Sequence, residues 1–315
     1  MSIVKNLFKG TTTNNLDKEI QQKGFEISQC SEICESCTSK FPKHLKFEGE
    51  SEGTSLWNTT KPYGMHIIIA TGKKDWSHDA INEDGKKKDT LKYKIGKWAE
   101  NNTNSPLGTI KVNVSSMSSD ELYINENYKL EKQGDLLILP YFLNIKGITI
   151  DEVDTYLNEL ESLLIKNNNN NNSTTNNNDS TIIIDEIITK LPKISPNLNQ
   201  SFVFFCSHTT RDKRCGITAP IMKQEIDNYL QELDLIRNFG DYRPNGIQTE
   251  FINHIGGHKY AANVIIYLKK SGKNIWLGLC KPNNIKPIVD ECILGDGKVW
   301  PNKVRLLQKF DPIEW

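Results

Sequence analysis

From residue 167 to residue 178 the chain consists of nine asparagines, one serine and two threonines. Such a stretch has no large apolar side chain to bury and cannot offset the entropy lost on ordering it. A compact fold must therefore close on either side of it. The sequence divides accordingly into a flexible N-terminus (residues 1–22, polar and aperiodic), a unit over 23–165, a disordered asparagine-rich insert over 166–180, and a second unit over 181–315. Each unit is of ordinary domain size.

The second unit reads clearly. Ser201-Phe-Val-Phe-Phe205 is a short aromatic and β-branched run, as a buried strand requires. A polar loop, Cys206 to Gly216, follows. Pro220 then opens a helical pattern with Ile221, Ile226, Tyr229, Leu230 and Leu233 on one face. A strand over 262–268, a turn over 271–274 and a strand over 275–279 form a hairpin, and residues 285–294 form a closing helix. This is the order of a thioredoxin-like α/β domain. The first unit repeats the plan. His66-Ile-Ile-Ile-Ala70 and its loop match the strand at 201–205 with its loop. Leu136 to Lys146, with the acidic helix from Ile150, matches Trp276 to Lys286 with the helix from Ile288. The expected fold class is α/β, with two thioredoxin-like halves.

Lys plus Arg and Asp plus Glu both number 39, so the formal net charge is zero and gives no global bias toward nucleic acid or anionic lipid. No run of eighteen apolar residues can span a membrane. The start MSIVKNLFKG lacks the apolar core of a secretory signal. Asp17, Glu19 and the absence of early arginine argue against a mitochondrial presequence. Seven cysteines without a signal peptide point away from a secreted disulfide scaffold and toward metal or redox chemistry in a reducing compartment.

Four residues concentrate that chemistry. Cys206 and Cys215 flank a loop with eight residues between them, and His254 and His258 are separated by three. Two thiols and two imidazoles are enough donors for a closed metal site. Gly216, Gly256 and Gly257 let the backbone wrap closely around a bulky group. On ligand chemistry alone, a [2Fe–2S] cluster and a structural zinc ion remain equal alternatives. His208, two residues after Cys206, is a rival ligand or a hydrogen-bond donor beside the site.

Cys206-x-His-x-x-Arg-Asp-x-Arg-Cys-Gly216 after a strand, then His254-x-x-x-His258 before an asparagine-containing strand, resembles the sucrase/ferredoxin-like family, which includes the actin-patches-distal protein of fungi. Leu56-Trp-Asn-Thr-Thr-Lys-Pro-Tyr63 and Ile69-Ala-Thr-Gly-Lys-Lys-Asp-Trp76 resemble its N-terminal motifs. One departure is Thr209, where relatives often carry glycine. The resemblance implies a C-terminal thioredoxin-like ferredoxin domain holding a [2Fe–2S] cluster, with Cys206, Cys215, His254 and His258 at the ligand positions. Two ferric ions, two sulfides and two thiolates carry no net charge, whereas four thiolates would leave −2. The potential is therefore expected above that of an all-cysteine ferredoxin, with electron uptake coupled to proton uptake at the imidazoles. The loop cations Arg211, Lys213 and Arg214 either dock an acidic redox partner or pair locally, Arg211 with Asp212.

Other signals are weaker. Cys280 and Cys292 read as buried free thiols. Cys30, Cys34 and Cys37 contain a dithiol spacing, Cys34-Glu-Ser-Cys37, and His44 is the nearest further ligand if they bind metal. The terminal Ile313-Glu314-Trp315 resembles the tripeptide by which clients are recognised by the cytosolic iron–sulfur targeting machinery. No nucleophile–base pair or phosphate loop is present. The expected location is the cytoplasm, with the nucleus as a second compartment, and the expected function is electron transfer between unidentified partners rather than enzymatic turnover. A zinc-stapled interaction protein linked to actin patches is the alternative, and a Cys34–Cys37 dithiol oxidoreductase is a third.

Overall fold

The computed structural model describes residues 15–47, 55–85, 88–171 and 179–312, with the side chains of residues 84, 167–171, 179–183 and 258 outside the description. The described residues begin with helix α1 (residues 15–22), followed by β1 (Glu26–Ile27), β2 (Met65–Ala70), α2 (Leu91–Asn101) and β3 (Ile110–Ser115). Two short helices follow, α3 (Glu121–Ile124) and α4 (Glu126–Lys129). After them come β4 (Gln133–Leu139), β5 (Leu143–Thr149), α5 (Val153–Asn171), α6 (Asp179–Lys190) and β6 (Ile194–Pro196). The second half runs β7 (Ser201–Cys206), α7 (Lys213–Glu232), β8 (Ile247–Ile252), β9 (Val264–Leu268) and β10 (Lys273–Leu277). It closes with α8 (Ile285–Pro287), which continues as a π-helical turn Ile288–Leu294, then β11 (Lys298–Val299) and β12 (Val304–Lys309).

Among the described residues ten strands form one sheet, in the order β12-β10-β9-β7-β8-β3-β2-β4-β5-β6. Within each half the plan is the same. The first strand pairs parallel with the second, across a helical connection, and antiparallel with the third, which pairs antiparallel with the fourth. Each half is thioredoxin-like. The halves meet at equivalent strands, β3 and β8, which pair antiparallel at Ser115 and Ile252. The amide of Asn253 donating to the carbonyl of Val114 (3.0 Å) extends the junction.

Strands β2, β7, β9 and β10 are buried on both faces, and the alternation of side chains sorts them into two layers. Ile67, Ile69, Val203 and Phe205 pack under the helices with Ile95 of α2 and Ile226 of α7. Ile68, Leu137 and Phe142 of the first half pack instead on Phe202, Phe204 and Trp276 of the second. In a flat sheet β2 and β9 would stand roughly 19 Å apart, at the usual strand spacing. Yet His66 Nδ1 lies 2.7 Å from the hydroxyl of Tyr267. The sheet therefore coils until its halves face each other, with helices outside.

That inner interface carries a buried polar network. The hydroxyl of Tyr267 donates to His66 Nδ1, and His66 Nε2 donates to Asn113 Oδ1 (2.9 Å). Asn113 in turn donates to Asn253 Oδ1 (2.6 Å). The hydroxyls of Tyr63 and Tyr267 bond to each other, and the indole of Trp276 donates to Tyr63 (2.9 Å). Burial, with the Lys111 ammonium as a second cause, pushes His66 from its ordinary value of 6.5 down to about 3. The folded protein thus holds this imidazole neutral, while the unfolded chain takes a proton as pH falls below about 6.5. Stability from this group is complete above that pH and declines toward pH 3. At pH 4.5 the expected loss is about 2–3 kcal/mol relative to neutral pH. Urea titrations of the protein and of His66→Gln at both pH values check this; equal pH slopes would remove the assignment.

Several boundaries differ from expectation. Residues 15–22 are helical and bury Ile20 completely, so the flexible stretch does not extend to residue 22. The following segment straps the second half rather than the first: β1 pairs parallel with β11, and the amide of Cys34 donates to the carbonyl of Asn283 (2.8 Å). Conversely β6 pairs with β5, and α6 lies beyond the asparagine tract yet packs on α5 of the first half. Helix α5 continues to Asn171 and α6 begins at Asp179, which narrows the expected insert; residues 172–178 lie outside the described residues. The repeat also aligns one strand differently. Leu136–Leu139 belongs to the third strand of its half, whereas Trp276 and Leu277 belong to the fourth. Both runs are apolar and precede a proline, and that local likeness masks the shift.

Candidate metal-ligand site

Cys206 is the last residue of β7, where its amide donates to the carbonyl of Asn263 (3.3 Å). By alternation it faces the layer between the halves. The expected loop to Gly216 is shorter in the structure, because α7 starts at Lys213, not at Pro220. Asp212 is the reason: its carboxylate accepts from the amide of Arg214 (2.9 Å) as an N-cap and also pairs with the Arg214 guanidinium. Pro220 is tolerated inside the helix at an exposed position, where the residue four back is Gly216. Cys215 therefore sits in the first turn of α7, where backbone amides favour negative charge.

Both thiols are buried, Cys206 to 1% exposure and Cys215 to 2%. The Cys215 thiol donates to Cys206, and the His254 imidazole stands beside Cys206 as well. Together they hold Cys206 well below the ordinary thiol range despite its burial. Cys215 is pushed up, because Cys206 takes the charge of the pair and burial disfavours a second one.

His254 follows β8 by two residues and is held through its backbone. Its amide donates to His208 Nδ1 (3.1 Å). On the other side, His208 Nε2 donates to the carbonyls of Ser77 (2.9 Å) and Trp76 (3.1 Å). Both nitrogens of His208 are thus engaged with backbone and neither is left for a metal. His208 is a clamp between the two histidine-bearing loops and the first half. Thr209, the departure noted above, presses on Gly216, where an added Cβ would come within 2.0 Å of its hydroxyl oxygen.

The first half contributes a wall. The Ser207 hydroxyl donates to the carbonyl of Lys74 (2.7 Å), and Thr210 donates to the Asp75 carboxylate. The ring of Trp76 stands edge-on to His208 at 5.8 Å. Arg211 lies against the His78 imidazole rather than pairing with Asp212. The strand end and loop after β2 therefore buttress the strand end and loop after β7, as the repeat places them.

Sequence reasoning missed Arg305. It sits on β12 with 1% exposure. Its guanidinium donates to Asn263 Oδ1 (2.7 Å), the carbonyl of Gly256 (3.1 Å), and the hydroxyl (3.0 Å) and carbonyl (3.2 Å) of Thr59. It also covers the ring of Tyr260. Gly256 and Gly257 both adopt positive φ, and a Cβ on Gly257 would lie 2.4 Å from Arg305. The only advance signals were Thr59 inside an N-terminal motif and the glycine pair itself. Burial lowers Arg305 to about 10, with the charge of Cys206 acting in the opposite sense, so it remains cationic at neutral pH.

The structure thus brings Cys206, Cys215 and His254 together. His258 opens the turn His258–Tyr260, four residues further along the same loop, and its side chain lies outside the described residues. Among the described residues no three His, Cys, Asp or Glu side chains already form a metal cage. The donor chemistry nevertheless fits a thiophilic metal group: two buried thiols, one held toward the thiolate, beside an imidazole and a buried cation. Cys280 and Cys292 lie elsewhere in the core, and Ile313, Glu314 and Trp315 lie outside the described residues. Among the described residues no helix is long and apolar enough to cross a membrane.

A family profile described as sucrase/ferredoxin-like matches residues 56–306. The chain is 34% identical to actin patches distal protein 1 of Saccharomyces cerevisiae, over 97% of this chain and 98% of that one. It is 26% identical to altered inheritance of mitochondria protein 32 of Candida glabrata, over 86% of each. Among solved structures, a thioredoxin-like [2Fe–2S] ferredoxin from Aquifex aeolicus aligns with 36% of this chain and 96% of its own at 17% identity, with a TM-score of 0.26.

Proposed function

The chain belongs to the sucrase/ferredoxin-like family, and from that premise we propose that it binds a [2Fe–2S] cluster through Cys206, Cys215, His254 and His258 and serves as an electron-transfer protein. The observation that carries the reading is the meeting of two buried thiols, at the end of β7 and in the first turn of α7, with the His254 imidazole from the loop after β8, about forty to fifty residues further along the chain. When bound, such a cluster supplies a one-electron couple, raised by imidazole in place of thiolate and sensitive to pH through it.

The chain's own residues prepare the place. β7 and the first turn of α7 fix the two sulfurs, and His208 fixes the backbone of His254. Arg305 holds the glycine turn between the histidines and sets a positive charge near Cys206. The loop after β2 closes over the Cys206 loop and limits water there. A buried thiolate would be costly without such a cation and such donors.

Iron, sulfide and zinc assays with a visible spectrum on anaerobically purified protein test the reading. The expected result is about two iron and two sulfide per chain, with a reddish-brown colour and a paramagnetic signal on reduction. A colourless protein carrying about one zinc would overturn it in favour of a zinc-stapled interaction protein.

A further inference from the structure

A second pair of cysteines lies apart from this site and plays no part in it. Cys34 and Cys37 flank the turn at Glu35 and Ser36 on the strap that crosses the second half. The turn is held firmly. The amide of Cys34 donates to Asn283 O (2.8 Å), Asn284 donates to the carbonyl of Glu32 (2.7 Å), and the indole of Trp300 donates to the carbonyl of Cys30 (2.8 Å). Beyond it, the Ser39 hydroxyl donates to Glu225 of α7. Both thiols are partly exposed, with the exposed Glu35 and Ser36 between them.

The donors around the pair converge on one sulfur. Cys34 Sγ lies 3.2 Å from the hydroxyl of Ser36. It also receives the Cys37 thiol and the backbone amides of Ser36 and Cys37. The four-residue turn keeps the two α-carbons within about 7 Å, inside the range a disulfide spans. We propose that Cys34 and Cys37 form a redox-active dithiol that exchanges with accessible disulfides, with Cys34 as the attacking sulfur and Cys37 as the resolving one.

The electron count closes on the external disulfide as oxidant. Cys34 thiolate attacks one sulfur of R–S–S–R; that S–S bond breaks, a Cys34–S–S–R bond forms, and the first RS⁻ leaves and is protonated. Cys37 then loses its proton and attacks Cys34 Sγ; the bond to R breaks and the second RS⁻ leaves and is protonated. Two protein thiols become one disulfide, and one external disulfide becomes two thiols. The asymmetry of the pair suits this order. The Cys37 thiol, the Ser36 hydroxyl and the turn amides keep Cys34 below the ordinary thiol range, while burial and the neighbouring Cys34 push Cys37 up to about 11. Cys30 is an internal comparator: it is exposed, but the Glu291 carboxylate raises it.

The test uses the full-length protein, reduced and then mixed with glutathione disulfide, with free thiols blocked by iodoacetamide and each cysteine peptide read by mass spectrometry. The expected product is a Cys34–Cys37 disulfide. Cys37→Ser should accumulate a glutathione adduct at Cys34, whereas Cys34→Ser should slow adduct formation at Cys37 by at least about tenfold. In the unmodified protein at pH 7, Cys34 should alkylate about tenfold faster than Cys30. Absence of the disulfide, or an adduct that forms faster at Cys30 or Cys37 than at Cys34, would overturn the proposal. The readout is resolved by peptide and does not depend on visible absorbance, so its failure is distinguishable from failure of the cluster reading.

Discussion

Cys206→Ser is expected to purify colourless, with less than about a tenth of the iron of the unaltered protein, and with an unchanged far-ultraviolet circular dichroism spectrum. The two halves of this expectation have separate causes. Serine keeps the size of cysteine, and the residue sits at the end of a strand whose ladder bonds come from the backbone. The fold therefore loses little. The metal loses a soft anionic donor from a buried position, and a hydroxyl of ordinary acidity does not replace it. Cys280→Ser is the control: that thiol is equally buried, at 1% exposure, and burial pushes it up to about 12, so it presents no thiolate. It should cost some stability and leave iron and colour intact. Retention of both in Cys206→Ser would remove Cys206 from the ligand set and with it the reading of the β7 strand end.

Much of this architecture was legible because it is written locally. The runs at 66–70 and 201–205 are short, apolar and bounded by polar loops, and each becomes the first strand of its half. The hairpin of β9 and β10 was legible from its Ser-Gly turn. What was not legible depends on distant partners. Nothing near Pro220 announces that the helix begins seven residues earlier; the start is set by the Asp212 cap, and a proline normally reads as a beginning. The strap over residues 23–41 is polar and lacks periodicity, and only its bonds to residues 283–300 reveal which half it serves. The coiling of the sheet is likewise invisible locally, since His66 reads as one polar residue in a strand until Tyr267 and Asn113 meet it. The same holds for the site. The four candidate ligands stand out by type and spacing, but their support comes from loops that read as generic. His208 illustrates this: Cys-x-His suggests a ligand, and only the three backbone groups around it show that it is a clamp.

Arg305 is the residue whose loss should do most to the protein as a whole. Arg305→Leu is expected to lower unfolding free energy by about 3–5 kcal/mol, the range for breaking a buried, multiply bonded charge. The leucine leaves Asn263 Oδ1 and the carbonyls of Gly256 and Thr59 without their donor in a region closed to water. Arg305→Lys should recover only part of this, because a single ammonium cannot reach four acceptors set around a planar fork. Urea unfolding measures the loss, and amide exchange localises it: protection should fall first at residues 254–260, where the glycine turn rests on the guanidinium. A buried arginine bonded here to neutral acceptors rather than to a carboxylate is a costly thing for a fold to keep. Its position near Cys206 supplies a reason, since the same charge that burdens the apoprotein favours a thiolate beside it. The lysine variant separates the two roles. If it restores iron more fully than it restores stability, Arg305 acts on the sulfur by charge; if both recover in proportion, its work is confined to holding the loop.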